Sequence, residues 1–486
     1  MKISHILLYC IAIIFTYPLF SKTDPVITRH SLKLKNGATI FYTAESGYYQ
    51  QKEEDGKLKA EIFYIAYVKE NVQDKRKRPI TYCFNGGPGS SSVWLHMGGL
   101  GPKRIIMQED GHPTPPPYEI KDNEYSWLEW TDLVFIDPVM TGYSRPADGI
   151  DKKEFTGYEE DIKSVGEFIY QFTGVQKRWS SPKYLAGESY GTTRAAGLSG
   201  HLQDRYGLYL NGLVLVSAIT NFQTARFERG NDLPYPLFLP TYAATAWYHK
   251  KLSTKFANLE QLLEEVESFA LNDYNTALMK GDRLTPEEKN YIAKKLAEYT
   301  GLSEKYIHQT NLRINIHRFV KELRRDEGII VGRLDSRITA SDYDNAGERY
   351  EFDPSYNLAI YGPYTMSIHE HLQTFLNVSK EIPYEILTGR VQPWNYSNVQ
   401  NQYLNVSETL RSAMIKNPYL KVIILNGYYD LATPYFATRY TIDHMFLPAE
   451  RKKDIQMFYY PSGHMMYIQL ASLVKMTDDL REFYKN

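Results

Sequence analysis

The sequence predicts an α/β fold, a mixed central sheet covered by helices on both faces. Short apolar runs recur along the chain, and from residue 80 onward they are separated by stretches long enough to hold helices. Several of these runs end directly in turns that carry polar or glycine-rich chemistry. The strand-like runs are residues 62–68, 80–84, 133–136, 184–186, 213–216, 422–425 and 455–459.

The N-terminus comes first. Met1-Lys2 is a short basic start, residues 6–15 are apolar, and polar residues begin at Ser21. That run is short for a membrane span. Residues 1–21 therefore read as a cleaved signal peptide, with an anchor as the alternative. The expected location is exported, periplasmic or secreted, with no stable membrane insertion after signal removal. Removal takes Cys10 away and leaves Cys83 as the single cysteine, so the mature chain has no intrachain disulfide.

Residues 80–84 read as a buried strand running into Asn85-Gly86-Gly87-Pro88-Gly89-Ser90-Ser91-Ser92. So much glycine after a strand brings bare backbone close to something, and main-chain N–H groups suit an oxyanion. A phosphate loop is disfavoured because no Lys-Ser/Thr ending follows; an ordinary turn is the other alternative.

Next, residues 184–186 lead into Gly187-Glu188-Ser189-Tyr190-Gly191, a G-x-S-x-G pattern followed by a helix-like run, 193–202. Such an elbow exposes a serine hydroxyl at a strand-to-helix turn, with the helix N-terminus favouring negative charge. Ser189 is the candidate nucleophile, and Gly87 and Tyr190 are the candidate oxyanion donors. Residues 422–425 lead to Asp430, and residues 455–459 lead through Pro461-Ser462-Gly463 to His464. The order Ser189, Asp430, His464 is that of an α/β-hydrolase and not of the chymotrypsin or subtilisin plans.

Together with Asp137-Pro138 and Thr141-Gly142-Tyr143-Ser144, these motifs resemble the serine carboxypeptidase family of carboxypeptidase Y and cathepsin A. The strings Ser92-Val93-Trp94-Leu95-His96-Met97 and Gly187 to Arg194 are similar to its bacterial branch. The resemblance implies an α/β-hydrolase fold with an inserted, mainly helical lid. It also implies a peptide substrate, no cofactor, and a Ser189–His464–Asp430 triad acting through an acyl-enzyme. In the family, an asparagine and two glutamates hold the substrate's C-terminal carboxylate. Asn85 and Glu188 match the asparagine and one glutamate, whereas the place of the second falls at Gly99. His96, Trp94 or a lid residue are candidates to compensate. Acyl hydrolysis thus rests on more residues than C-terminal specificity does, and an acyltransferase or esterase is the alternative. A catalytically silent binding protein is the alternative of another class.

Burial and a facing carboxylate would raise the pKa of Glu188; the plainer role is a hydrogen bond to the Asn85 loop. The expected division is 22–225 for the first part of the core, 226–385 for the lid, and 386–486 for the second part. Within 226–385, residues 259–271, 286–299 and 306–325 show helix-like spacing. The lid narrows the cleft, or the insertion is purely stabilising. Asp232, Phe238 and Tyr242 are candidates to reach the cleft without an assigned role. His369-Glu370-His371 has the wrong spacing for a zincin pair, so no metal is expected. In 486 residues, 56 Lys+Arg against 57 Asp+Glu give a charge of −1, with no basic block for nucleic acid.

Overall fold

The computed structural model describes residues 24–485; the expected signal peptide lies outside them. Among the described residues, nine strands form the path of the main sheet. They are β1 (Val26–Lys33), β2 (Thr39–Lys52), β3 (Leu58–Lys69), β4 (Ile80–Phe84) and β5 (Asp132–Ile136). After them come β6 (Lys183–Glu188), β7 (Gly212–Val216), β8 (Lys421–Gly427) and β9 (Ile455–Tyr460). The spatial order is β1-β2-β3-β5-β4-β6-β7-β8-β9. Pairings from β1 through β3 to β5 are antiparallel, and those from β5 across to β9 are parallel. The sheet is mixed, as expected.

Side chains alternate across a strand, and here the alternation sorts the core into two layers. In β7, Leu213 and Leu215 join one buried cluster while Val214 and Val216 join the other. β8 divides the same way, Val422 and Ile424 against Ile423 and Leu425. One layer is closed by α1 (Tyr158–Val175) and α2 (Tyr190–Tyr206), through residues such as Phe168 and Leu198. The opposite layer is closed by helices Tyr361–Glu370 and Leu470–Lys485, through Ile368 and Leu480. Continuous apolar runs in the central strands are the signature of burial on both faces. β1 and β2 escape that signature. They alternate buried and exposed residues at the sheet's edge, with Phe41 57% exposed.

Between β7 and β8, a third cluster has its own centre, built from α3 (Pro234–Tyr248), α4 (Leu259–Phe269) and α5 (Pro286–Thr300). α5 starts at a Thr285/Glu288 capping box and stops at Gly301 in the left-handed conformation. The single helix expected over 306–325 is two, Glu304–Gln309 and Ile316–Glu322. Asn311 and Leu312 take positive φ between them, and the Asn315 side chain caps the second by accepting from Arg318 N. The segment also carries a small antiparallel pair, Ile329–Val331 with Thr339–Ser341. In the 369–371 stretch, Glu370 is exposed, while His371 is buried with Nε2 2.9 Å from the Tyr67 hydroxyl. No helix among the described residues is long and apolar enough to cross a membrane.

Candidate active site

Four parallel strands deliver the site from their C-terminal ends, where open α/β sheets place ligands. β4 ends at Phe84, directly before Asn85, and β6 ends at Glu188, directly before Ser189. β8 and β9 end three and four residues short of Asp430 and His464.

Ser189 has φ 60° and ψ −128°, a region costly to any residue but glycine. The turn is held from several sides. Ser189 N donates to Val216 O at 3.0 Å, and the Thr193 hydroxyl donates to Ile219 O at 2.6 Å. Arg194 donates to Asn85 O at 2.6 Å and is paired with Asp161 at 2.7 Å, both side chains fully buried. The octapeptide Gly187 to Arg194 is thus the clamp that ties the elbow helix to the glycine-rich loop. Gly86 shows how close that loop lies: a Cβ there would come within 2.3 Å of Tyr190 N. Tyr190 opens α2, so its N–H has no partner within the helix. Gly87, at φ +102°, and Tyr190 line one cavity together with Ser189.

His464 Nδ1 lies 2.7 Å from Asp430 Oδ2, with both side chains buried. A carboxylate only accepts, so Nδ1 carries the proton and Nε2 is left as the base. Asp430 is fixed in turn by Ala432 N at 2.8 Å, Thr433 N at 3.1 Å and the Thr433 hydroxyl at 2.7 Å. Burial pulls the His464 pKa down, but the charge and hydrogen bond of Asp430, with Glu188 adding, leave it raised. The His464 loop is held from two directions: its N–H donates to Leu334 O at 2.7 Å and its carbonyl accepts from Ser217 Oγ at 2.6 Å. His464 lines the same cavity as Ser189, and among the described residues no hydrogen bond joins the two side chains.

Asn85 Nδ2 donates to Glu188 Oε1 at 2.9 Å, and its Oδ1 accepts from Leu95 N at 3.1 Å. Glu188 is 3% exposed. Burial raises its pKa to about 7, with the Asp430 charge adding and His464, Tyr467 and Asn85 pulling back. Of the two residues named to compensate for Gly99, Trp94 lines the cavity and donates to Ser90 Oγ at 2.6 Å. His96 points away: it stacks on Phe135 and meets the Tyr67 hydroxyl at 2.7 Å, with its pKa lowered by burial to about 3. Of the candidates from the insertion, Phe238 lines the cavity, Asp232 pairs with Arg313, and the Tyr242 hydroxyl donates to Ile314 O.

The cavity measures about 500 Å³. Its far side comes from Arg226, Ile316, Arg333, Tyr350, Asp353 and Tyr356. Sequence reasoning missed Thr433 and Tyr467. Each stands three residues after a triad candidate, a spacing that gives a signal only once the turn geometry is known.

The profile described as serine carboxypeptidase matches residues 37–476. The chain belongs to the serine carboxypeptidase family. Within the family, it is 26% identical over 198 residues to serine carboxypeptidase-like 13 of Arabidopsis thaliana, covering 40% of this chain and 43% of that protein. It is 33% identical over 147 residues to carboxypeptidase Y homolog A of Phaeosphaeria nodorum, covering 30% of this chain and 23% of that protein. The chain therefore spans less than half the length of these curated relatives. Its fold is similar to that of KEX1(delta)p, a prohormone-processing carboxypeptidase from Saccharomyces cerevisiae, with TM-score 0.57, 17% identity and 91% of each chain covered.

Proposed function

We propose that the chain is a serine carboxypeptidase that releases C-terminal residues from peptides through an acyl-enzyme. The observation that carries this reading is the buried Asp430–His464 pair opening onto the cavity that also holds Ser189 and the Glu188–Asn85 pair. His464 Nε2 takes the proton of Ser189 Oγ as the oxygen attacks the scissile carbonyl. The Ser189–His464 hydrogen bond forms when substrate binds, as catalytic hydrogen bonds commonly reach their working geometry only in the complex. The Gly87 and Tyr190 amides hold the oxyanion, His464 protonates the departing amine, and water repeats the sequence on the acyl-enzyme.

Neutral Glu188 donates to the substrate's carboxylate, together with Asn85; ionised Glu188 repels it. The neutral form dominates below its pKa of about 7, so activity on a free-acid peptide falls as pH rises through that value. The insertion 226–385 acts as the lid that selects substrate side chains, between the core segments 22–225 and 386–486. The enzyme works after export, in the periplasm or outside the cell. The test is kcat/KM against pH for a blocked dipeptide and for its C-terminal amide. A free-acid preference that fades above neutral pH supports the reading; equal rates across the range refute it.

A further inference from the structure

Glu188 is gripped from two sides. Asn85, from the loop after β4, donates to Oε1 at 2.9 Å, and the Tyr467 hydroxyl donates to Oε2 at 2.5 Å. Tyr467 is 1% exposed and lies on the short turn Met466–Ile468, three residues beyond His464. Its ring fills the space where a side chain at residue 98 would project, and its stem crowds the space at residue 99. A Cβ on Gly98 would come within 2.2 Å of the Tyr467 ring, and one on Gly99 within 2.9 Å of Tyr467 Cβ. Both distances are far below carbon–carbon contact. A glutamate at 99 therefore cannot be seated without moving the Tyr467 stem, nor a side chain at 98 without moving its ring.

We propose that Tyr467 is a positioning residue for recognition of the substrate's C-terminal carboxylate, its side chain occupying the room left by Gly98 and Gly99 and its phenol fixing the Glu188 carboxyl. This rests on the carboxypeptidase reading and deepens it. The exchange has an electrostatic consequence. Two carboxyls in contact push one of their pKa values strongly upward by like charge. A phenol adds a donor and no charge, and burial raises the Tyr467 pKa well above its ordinary value, so it stays protonated. Its hydrogen bond favours the ionised form of Glu188 and works against burial. The other groups that act on Glu188 are Asn85, the triad pair Asp430 and His464, and Tyr364 from the helix Tyr361–Glu370.

Removing the phenol takes a donor from the ionised carboxylate, so the Glu188 pKa rises and the neutral, donating form persists to higher pH. The experiment measures kcat/KM from about pH 5 to about pH 9 on a blocked dipeptide and on its amide. In Tyr467→Phe the alkaline limb for the free acid is expected to move up by about one pH unit, with the amide profile keeping its shape. In a Glu188→Gln background the same change is expected to move nothing. Replacing Tyr467 by 3-fluorotyrosine keeps the shape, strengthens the donor and is expected to move the limb down, a test that does not depend on how Tyr467→Phe folds. A free-acid limb that stays in place in both variants, or that moves together with the amide profile, overturns the role of Tyr467. A limb that survives Glu188→Gln overturns the carboxylate reading itself, and this role with it.

Discussion

The two walls of the cleft are built differently. On the sheet side, Asn85, Glu188 and His464 line the cavity, Glu188 held by Asn85 and Tyr467 and His464 held by Asp430 through hydrogen bonds, and all five are less than 5% exposed. On the insertion side, Ile316, Arg333, Tyr350, Asp353 and Tyr356 are half-buried and Arg226 is exposed. Arg333 and Asp353 stand 3.8 Å apart, and Arg226 lies over the Phe222 ring. Bond-breaking needs donors and bases fixed to fractions of an ångström in a dry setting, which burial supplies. Choosing among side chains needs only modest differences in contact, which groups still in touch with water can give.

The sharpest way to break this contrast is Ser189→Ala, expected to lower turnover by on the order of 10⁴–10⁶ while the thermal melt stays in place. Appreciable residual rate would remove the sheet wall from the chemistry. Asp430→Asn comes next: it leaves His464 in the wrong tautomer and is expected to cost on the order of 10³–10⁴ in kcat. Arg194→Met probes the scaffold instead. It strands the buried Asp161 carboxylate without its cation, so urea denaturation is expected to show a loss of about 3–5 kcal/mol.

Glu188→Gln removes the titration and keeps the shape. Its free-acid profile is expected to lose the alkaline limb near the Glu188 pKa of about 7, and a profile identical to the parent's would take Glu188 out of substrate binding. The smallest effect belongs to the insertion wall. Arg226→Ala and Arg333→Ala are expected to change kcat/KM by less than about tenfold, and differently for acidic and apolar substrate side chains. Losses as large as those on the sheet side would erase the distinction between the walls.

Residues that act through local chain geometry were legible before any coordinates. The runs at 80–84, 133–136, 213–216 and 422–425 announced central strands because burial on both faces demands unbroken apolar sequence. β1 and β2 lacked that demand and went unseen, and the break at Asn311 and Leu312 lay inside helix-like spacing. By itself the sequence determined that the fold is α/β, and it put Ser189, Asp430 and His464 in the order of an α/β-hydrolase, because each follows its strand within a few residues. Only the tertiary structure decided what stands opposite Gly99. Tyr467 is more than three hundred residues from Gly99, and both its close approach to that glycine and its hydrogen bond to Glu188 are fixed by packing, which leaves no local pattern to read.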